Sequence, residues 1–224
     1  QASELGINGC NDYESLIENS DILFLGVKPV VFPTLLPQIA KSVKKKNPLV
    51  VSMAAGLTTD SIKEMLGYDA KIIRIMPNVN AAMSTTAVCK NEFASDEDLA
   101  TIKNLFSSIG LTTEVPENQF AIFTAIAGCS PAYVYMFIDG LARGAQKMGM
   151  NKQKALEIAA SAVIGSASMY AQSNEHPQEL VDKVCSPGGT TIEGVTTLEE
   201  YKFTAGVVKA VENSILKDRE LSKK

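Results

Sequence analysis

The sequence predicts an α/β half with an incomplete doubly wound sheet, followed by an all-α half. Three observations carry this prediction. Between residues 21 and 115, short apolar or β-branched runs alternate with helix-forming stretches, the pattern of strands joined by crossover helices. After Pro116 strand signals vanish and helical spacing runs almost to the end. Within those helices, Ser186-Pro187-Gly188-Gly189-Thr190-Thr191 forms a break whose residues let backbone approach a ligand closely.

Composition narrows the possibilities. The chain has 224 residues, 46% of them apolar, and a net charge of −4 at pH 7 with both signs interspersed. That is enough apolar surface for a buried core and the wrong balance for nucleic-acid binding. Lys44-Lys45-Lys46 is the only basic run and is expected at the exposed end of a helix. No apolar stretch is expected to approach the ~18 residues of a membrane span. The four cysteines, Cys10, Cys89, Cys129 and Cys185, lack C-x-x-C spacing. They are expected to be reduced thiols of a cytoplasmic protein, with no metal site.

Taken in order, Ser3-Glu4-Leu5-Gly6 looks like the end of a helix. The chain opens on Gln1 and contains no Gly-x-Gly-x-x-Gly, the turn that follows the first strand of a dinucleotide-binding fold. The expectation is a fragment lacking a first βαβ-like unit of roughly 30 residues or more. Asp21–Val27 is a buried strand ending at Lys28-Pro29, with a helix entered through Pro33 and running to about Val43. Leu49–Met53 is the second strand, followed by Ala54-Ala55-Gly56 and a helix capped by Thr58 or Thr59. Lys71–Ile75 is the third, ending at Met76-Pro77-Asn78. Thr85–Cys89 is the fourth, Ser95 opens a helix with an S-x-x-D start, and Thr112–Val115 closes the sheet. Ligands on such sheets bind beyond the C-terminal strand ends. Val27-Lys28-Pro29, Ala54-Ala55-Gly56 and Met76-Pro77-Asn78 should therefore line one crevice, although each is also ordinary turn chemistry.

In the helical half, Gln119–Met148 is a long helix or a pair broken at Gly128-Cys129-Ser130-Pro131. Asn151 caps a helix to about Ala171, Pro177 starts another, and Phe203–Lys217 is the last. Residues 140–145 and 159–167 are small and apolar on more than one stripe. Burying them calls for a partner subunit, because a ~100-residue helical domain has little interior. At the glycine-rich break, Thr190 and Glu193 have the spacing of a capping box, which makes Thr190 the expected N-cap and leaves the Thr191 hydroxyl free. Free N–H groups at that helix start would attract an anion. A plain tight turn between two helices is the alternative.

The run Glu175-His176-Pro177 … Leu180 … Val184-Cys185-Ser186-Pro187-Gly188-Gly189-Thr190-Thr191-Ile192-Glu193-Gly194-Val195 … Leu198-Glu199 resembles the signature of the pyrroline-5-carboxylate reductase family. Gly128-Cys129-Ser130-Pro131-Ala132-Tyr133 is similar to the family's Gly-Ser-Gly-Pro-Ala-Tyr, departing at Cys129 and Ser130. Tyr13 departs where many members have an Asn that meets the adenosine half of the cofactor. Cys129 is expected to be packing, and His176 to mark a helix entrance. The resemblance implies a Rossmann-like domain over 1–116, without its first strand and Gly-rich loop, and a helical dimerisation and substrate domain over 117–224. It implies a homodimer, in some members a higher oligomer, with the active site completed across the dimer. The implied reaction reduces 1-pyrroline-5-carboxylate to L-proline with NADPH or NADH. The cofactor would be bordered by Val27, Lys28, Pro29, Ala54, Ala55, Gly56, Met76, Pro77 and Asn78.

A cyclic imine bearing a carboxylate needs an anion site and a hydrogen-bond donor for its nitrogen. The N–H groups of Gly189, Thr190 and Thr191, with the Ser186 hydroxyl and the close approach at Gly188, suit the carboxylate. The Thr191 hydroxyl suits the nitrogen, orienting it or relaying a proton. A non-catalytic dimeric module stays open because the cofactor-binding turn is absent. A hydroxy-acid reductase lacks support, because such enzymes generally need a lysine or histidine base and Ser186–Thr191 contains neither.

Overall fold

The computed structural model describes residues 4, 6–77 and 85–221. They form two compact units, Gln1–Gly128 with Ser214–Lys224, and Cys129–Asn213.

The first unit is built on a five-stranded sheet. Its strands are β1 (Ile22–Leu25), β2 (Leu49–Ser52), β3 (Ile72–Pro77), β4 (Thr85–Lys90) and β5 (Leu111–Glu114), in the spatial order β1-β2-β3-β4-β5. β1, β2 and β3 are parallel, β3 and β4 antiparallel, and β4 and β5 parallel. The expected strands are all present, with boundaries shifted by at most two residues. The helices are α1 (Tyr13–Glu18), α2 (Phe32–Lys46), α3 (Thr59–Leu66) and α4 (Asp96–Ser107).

The sheet is wound on both faces through the reversal at β4. Successive right-handed crossovers from β1 to β3 put their helices on one face. There Leu23, Leu25, Val50 and Ile72 pack on Ile17 of α1, on Phe32, Leu36 and Val43 of α2, and on Ile62 and Leu66 of α3. β4 and β5 run the other way, so the same handedness sends α4 to the opposite face, where Leu99 and Ile102 pack on Val51, Ile73, Ile75 and Val88. Two-sided cover explains why β2 is buried at all four residues and why these strands are continuous apolar runs.

Local signals set the ends. Lys44, Lys45 and Lys46 form the last turn of α2, three residues beyond the expected end, and Asn47 stops it in a left-handed conformation with φ 54°. Cations there complement the helix dipole. Thr58, not Thr59, caps α3, and Ser95 and Asp98 form a reciprocal capping box on α4.

Beyond β5 come α5 (Phe120–Phe123), a π-helical turn at Thr124–Cys129, and α6 (Ser130–Lys147). The expected break is thus a widened turn inside one helical segment. Pro131 cannot donate the i−4 bond, and π-turns are a recognised relief for that. Glu117–Lys147 is 31 residues long and contains an 18-residue window with a mean hydropathy of 1.6, long and apolar enough by length and composition to cross a membrane. This corrects the expectation that no stretch would reach that length.

The second unit holds α6, α7 (Lys152–Gln172), α8 (Pro177–Val184), α9 (Thr190–Glu200) and the first half of α10 (Phe203–Leu221). Asn151 caps α7 as expected, and Asp139 of α6 accepts from Arg143 and from Lys152 of α7. Its buried residues are three alanines, Ala142, Ala155 and Ala159. By contrast Tyr135, Met136, Ile164, Met169 and Tyr201 are exposed. A Cβ added at Gly140, Gly144 or Gly165 would meet nothing within 4 Å. A single chain therefore leaves these small-residue faces open, the state expected of a unit whose core is completed by a second copy.

Candidate active site

The first site element is the C-terminal edge of the parallel strands. Register pairs Leu25 with Ser52 and Ser52 with Arg74, so residues 27–29 and 54–56 leave the sheet along the edge where β3 ends with Met76 and Pro77. Val27 and Met53 are more than a third exposed there, and Lys28, Pro29 and Ala55 are exposed while Gly56, Met76 and Pro77 are half-buried. Gly56 adopts φ 79°, a left-handed turn that favours glycine. Ala54 is set deeper than its neighbours. It is 3% exposed and packs in the core, and its N–H donates to the buried Ser52 hydroxyl at 3.2 Å. It lies beneath the edge, between the exposed Met53 and Ala55. Asn78 lies outside the described residues.

A brace behind this edge escaped the sequence reading. Glu117 accepts from the Thr59 N–H at 2.8 Å and from the Thr59 hydroxyl at 2.9 Å. It also accepts from Arg74 Nη1 at 3.3 Å. The Arg74 guanidinium lies 4.5 Å from the Phe120 ring centroid. The available signal was an arginine inside an otherwise apolar strand, Ile72-Ile73-Arg74-Ile75, because a buried charge requires a partner. Neighbouring Cys89 is no nucleophile, since burial pushes its thiol up to about 12.

The second site element is the loop before α9. Gly189 N–H donates to Ser186 O at 3.0 Å, with Pro187 second in the turn and Gly188 third at φ 66°. This is the form of a type II turn. It carries Gly189 into the extended N-cap position, φ −84° and ψ 172°. Thr190 is therefore the first residue of the helix and not its cap, and the expected capping box does not form. The Gly189 N–H is likewise spent within the turn. The donors left without an acceptor among the described residues are the N–H groups of Thr190, Thr191 and Ile192. Further along α9, Thr196 and Thr197 return their hydroxyls to helix carbonyls. Thr190 and Thr191 have no preceding helical turn to bond back to, and their hydroxyls have no partner among the described residues. Ser186 is exposed at the mouth of the turn.

The remaining candidates are structural. His176 caps α8, its Nδ1 accepting from Gln178 N–H at 3.2 Å while Glu179 accepts from His176 N–H at 3.0 Å. Cys129 ends the π-turn as a free thiol. Among the described residues no cluster of metal-ligating side chains occurs.

A winding sheet with an open strand edge, and a helical unit with an anion-ready helix start, are the features of a nicotinamide-dependent oxidoreductase of the sheet-plus-helices class, and the chain's relatives are of that class. Residues 1–56 match the family described as NADP oxidoreductase, coenzyme F420-dependent, and residues 117–221 match pyrroline-5-carboxylate reductase dimerisation. The chain is 42% identical to the pyrroline-5-carboxylate reductase of Escherichia coli strain K12, covering 98% of this chain and 82% of that one. It is 36% identical to the Aquifex aeolicus reductase, again over 98% and 82%. The Streptococcus pyogenes reductase structure superposes with a TM-score of 0.85 at 38% identity, covering 98% of this chain and 83% of that one. The Plasmodium falciparum enzyme, solved with NADP bound, gives 0.86 at 31% identity, over 96% and 82%. The chain belongs to the pyrroline-5-carboxylate reductase family.

Proposed function

We infer that this protein reduces 1-pyrroline-5-carboxylate to L-proline with NADPH or NADH, the last step of proline biosynthesis. The start of α9 carries the reading, because one turn brings to a single place three N–H groups and two hydroxyls that have no partner among the described residues. Reductases matching 98% of the chain leave a non-catalytic module without support.

The substrate carboxylate suits the helix start, where the N–H groups of Thr190 and Thr191 and the dipole favour an anion. The Ser186 hydroxyl adds a donor, and Gly188 and Gly189 keep side chains out of the approach. The Thr191 hydroxyl is assigned to the imine nitrogen. As a weak acid it orients that nitrogen and relays a solvent proton to it, rather than acting as a strong general acid.

The cofactor's fit rests on the open strand edge. Val27, Lys28, Pro29, Ala55, Gly56, Met76 and Pro77 would hold it over the buried Ala54, with Asn78 next in sequence. The reduced nicotinamide supplies the hydride that the imine carbon receives. The protein supplies position and electrostatics.

The partner is a second copy of the chain, which covers the exposed faces of α6 and α7. The compartment is the cytoplasm, in keeping with four free thiols. Steady-state oxidation of NADPH and of NADH by the full-length protein tests the reading. Turnover should depend on 1-pyrroline-5-carboxylate, and no turnover with either nucleotide would refute it.

A further inference from the structure

We propose that Arg74, Glu117 and Thr59 form a positioning device that sets the cofactor-binding strand edge, a role that rests on the reductase reading. The device is built from distant parts of the chain. Thr59 is the first residue of α3, Arg74 lies in β3 two residues before Met76-Pro77, and Glu117 follows β5. The Arg74 side chain is 7% exposed and that of Glu117 26%. An ion pair this deep loses hydration that its attraction does not reliably repay, so its worth lies more in fixing geometry than in adding stability.

The geometry it fixes is specific. A helix start leaves four N–H groups without helical partners. Thr58 serves one locally, that of Ser61 at 3.1 Å. Glu117 serves another, that of Thr59, from 58 residues away. That bond fixes where α3 begins and hence where the Ala55-Gly56 turn ends. The near end of the same loop is held by the Ser52–Ala54 bond. The same Glu117 oxygen that takes the Thr59 N–H also takes Arg74, so one carboxylate spans both banks of the crevice. α3 itself stays docked through Ile62 and Leu66, both in the core cluster. Loss of the carboxylate should therefore shift the banks without melting the helix.

The test is Glu117→Gln and Thr59→Val in the full-length enzyme. Each is compared with wild type for NADPH Kd by fluorescence titration, for both KM values, for kcat and for melting temperature. Glu117→Gln should raise Kd and KM for NADPH roughly tenfold, as expected for losing a charged hydrogen-bond partner, while kcat and the imine KM stay within about twofold. Thr59→Val, which deletes one bond, should shift NADPH binding in the same direction by less. Should Glu117→Gln not fold, Thr59→Val decides alone. A lowered melting temperature with unchanged NADPH Kd would make the cluster purely structural and overturn the proposal. Equal losses for both substrates would overturn it too. Because Kd needs no turnover, a wild-type protein inert toward the imine would refute the reductase reading separately.

Discussion

Deleting one hydroxyl tests the chemistry assigned to the loop. Thr191→Val keeps the β-branched shape and the backbone N–H. Thr191 is the second residue of α9, and its hydroxyl has no partner among the described residues. The substitution thus breaks no protein hydrogen bond, and stability should stay within about 0.5 kcal/mol of wild type. Cofactor binding should not change, because no strand-edge residue is touched. The loss should fall on turnover, since the hydroxyl matters most as the nitrogen changes from imine to amine. One such hydrogen bond contributes about 1–3 kcal/mol, or roughly ten- to a hundredfold in kcat. Thr190→Val is the control. Because Gly189 and not Thr190 occupies the cap position, that variant should keep its melting temperature as well as its turnover. Absorbance of the reduced nicotinamide and thermal melting give all four numbers. If Thr190→Val loses turnover and Thr191→Val keeps it, the two roles are reversed. If neither changes, the nitrogen's partner is elsewhere and water is the first alternative.

Gly188→Ala tests the turn. Its added Cβ meets nothing within 4 Å, but φ is 66°, so the cost is backbone strain of about 1–2 kcal/mol. It should raise KM for the imine and leave NADPH binding alone, and an unchanged imine KM would detach the turn from substrate binding. Gly144→Leu and Ala160→Phe should overpack the face shared with the second copy. Sedimentation should then show dissociation or unfolding, and a stable, folded dimer would locate the interface elsewhere. The raised Cys89 pKa gives a pH dependence. Unfolding releases a thiol that ionises near 9.0, whereas the folded one holds its proton to about 12. Its contribution is complete below pH 9.0 and lost as pH rises toward 12, because the folded state then binds more protons. Melting of wild type should fall relative to Cys89→Val across that range, and parallel curves would refute the assignment.

Much of the fold was legible because its cause is local. Strands covered on both faces must be apolar runs, and Val50, Val51, Ile72 and Ile73 are all fully buried. Caps at Thr58, Ser95 and Asn151 declare themselves through a side-chain oxygen three residues before its donor. What was not legible depends on partners that spacing does not reveal. The reversal at β4 is a matter of neighbours, because an apolar strand looks the same in either direction. Thr190 had the right spacing for a cap, but Pro187 and Gly188 close a turn one residue earlier than that pattern assumes. The Arg74–Glu117 pair joins residues 43 apart, and Arg74 announced only that a counter-charge had to exist. At the candidate site, the turn and the free Thr191 hydroxyl were legible. The spent Gly189 N–H and the buried Ala54 were not, since both follow from backbone path and packing.

Chain order gives Glu117 a further consequence, in the timing of synthesis. Thr59 and Arg74 leave the ribosome 58 and 43 residues ahead of their carboxylate. By then β1 to β5 have all been made, and N-terminal elements can organise before the rest is translated. Yet the first N–H of α3 and the guanidinium of β3 must wait. The carboxylate arrives on residue 117, the first of the segment 117–221 that matches the dimerisation family. A nascent chain halted just before it would own β1 to β5 with an unset ligand edge. Competence to hold a nucleotide is thus deferred until the half that recruits the second copy has begun to emerge.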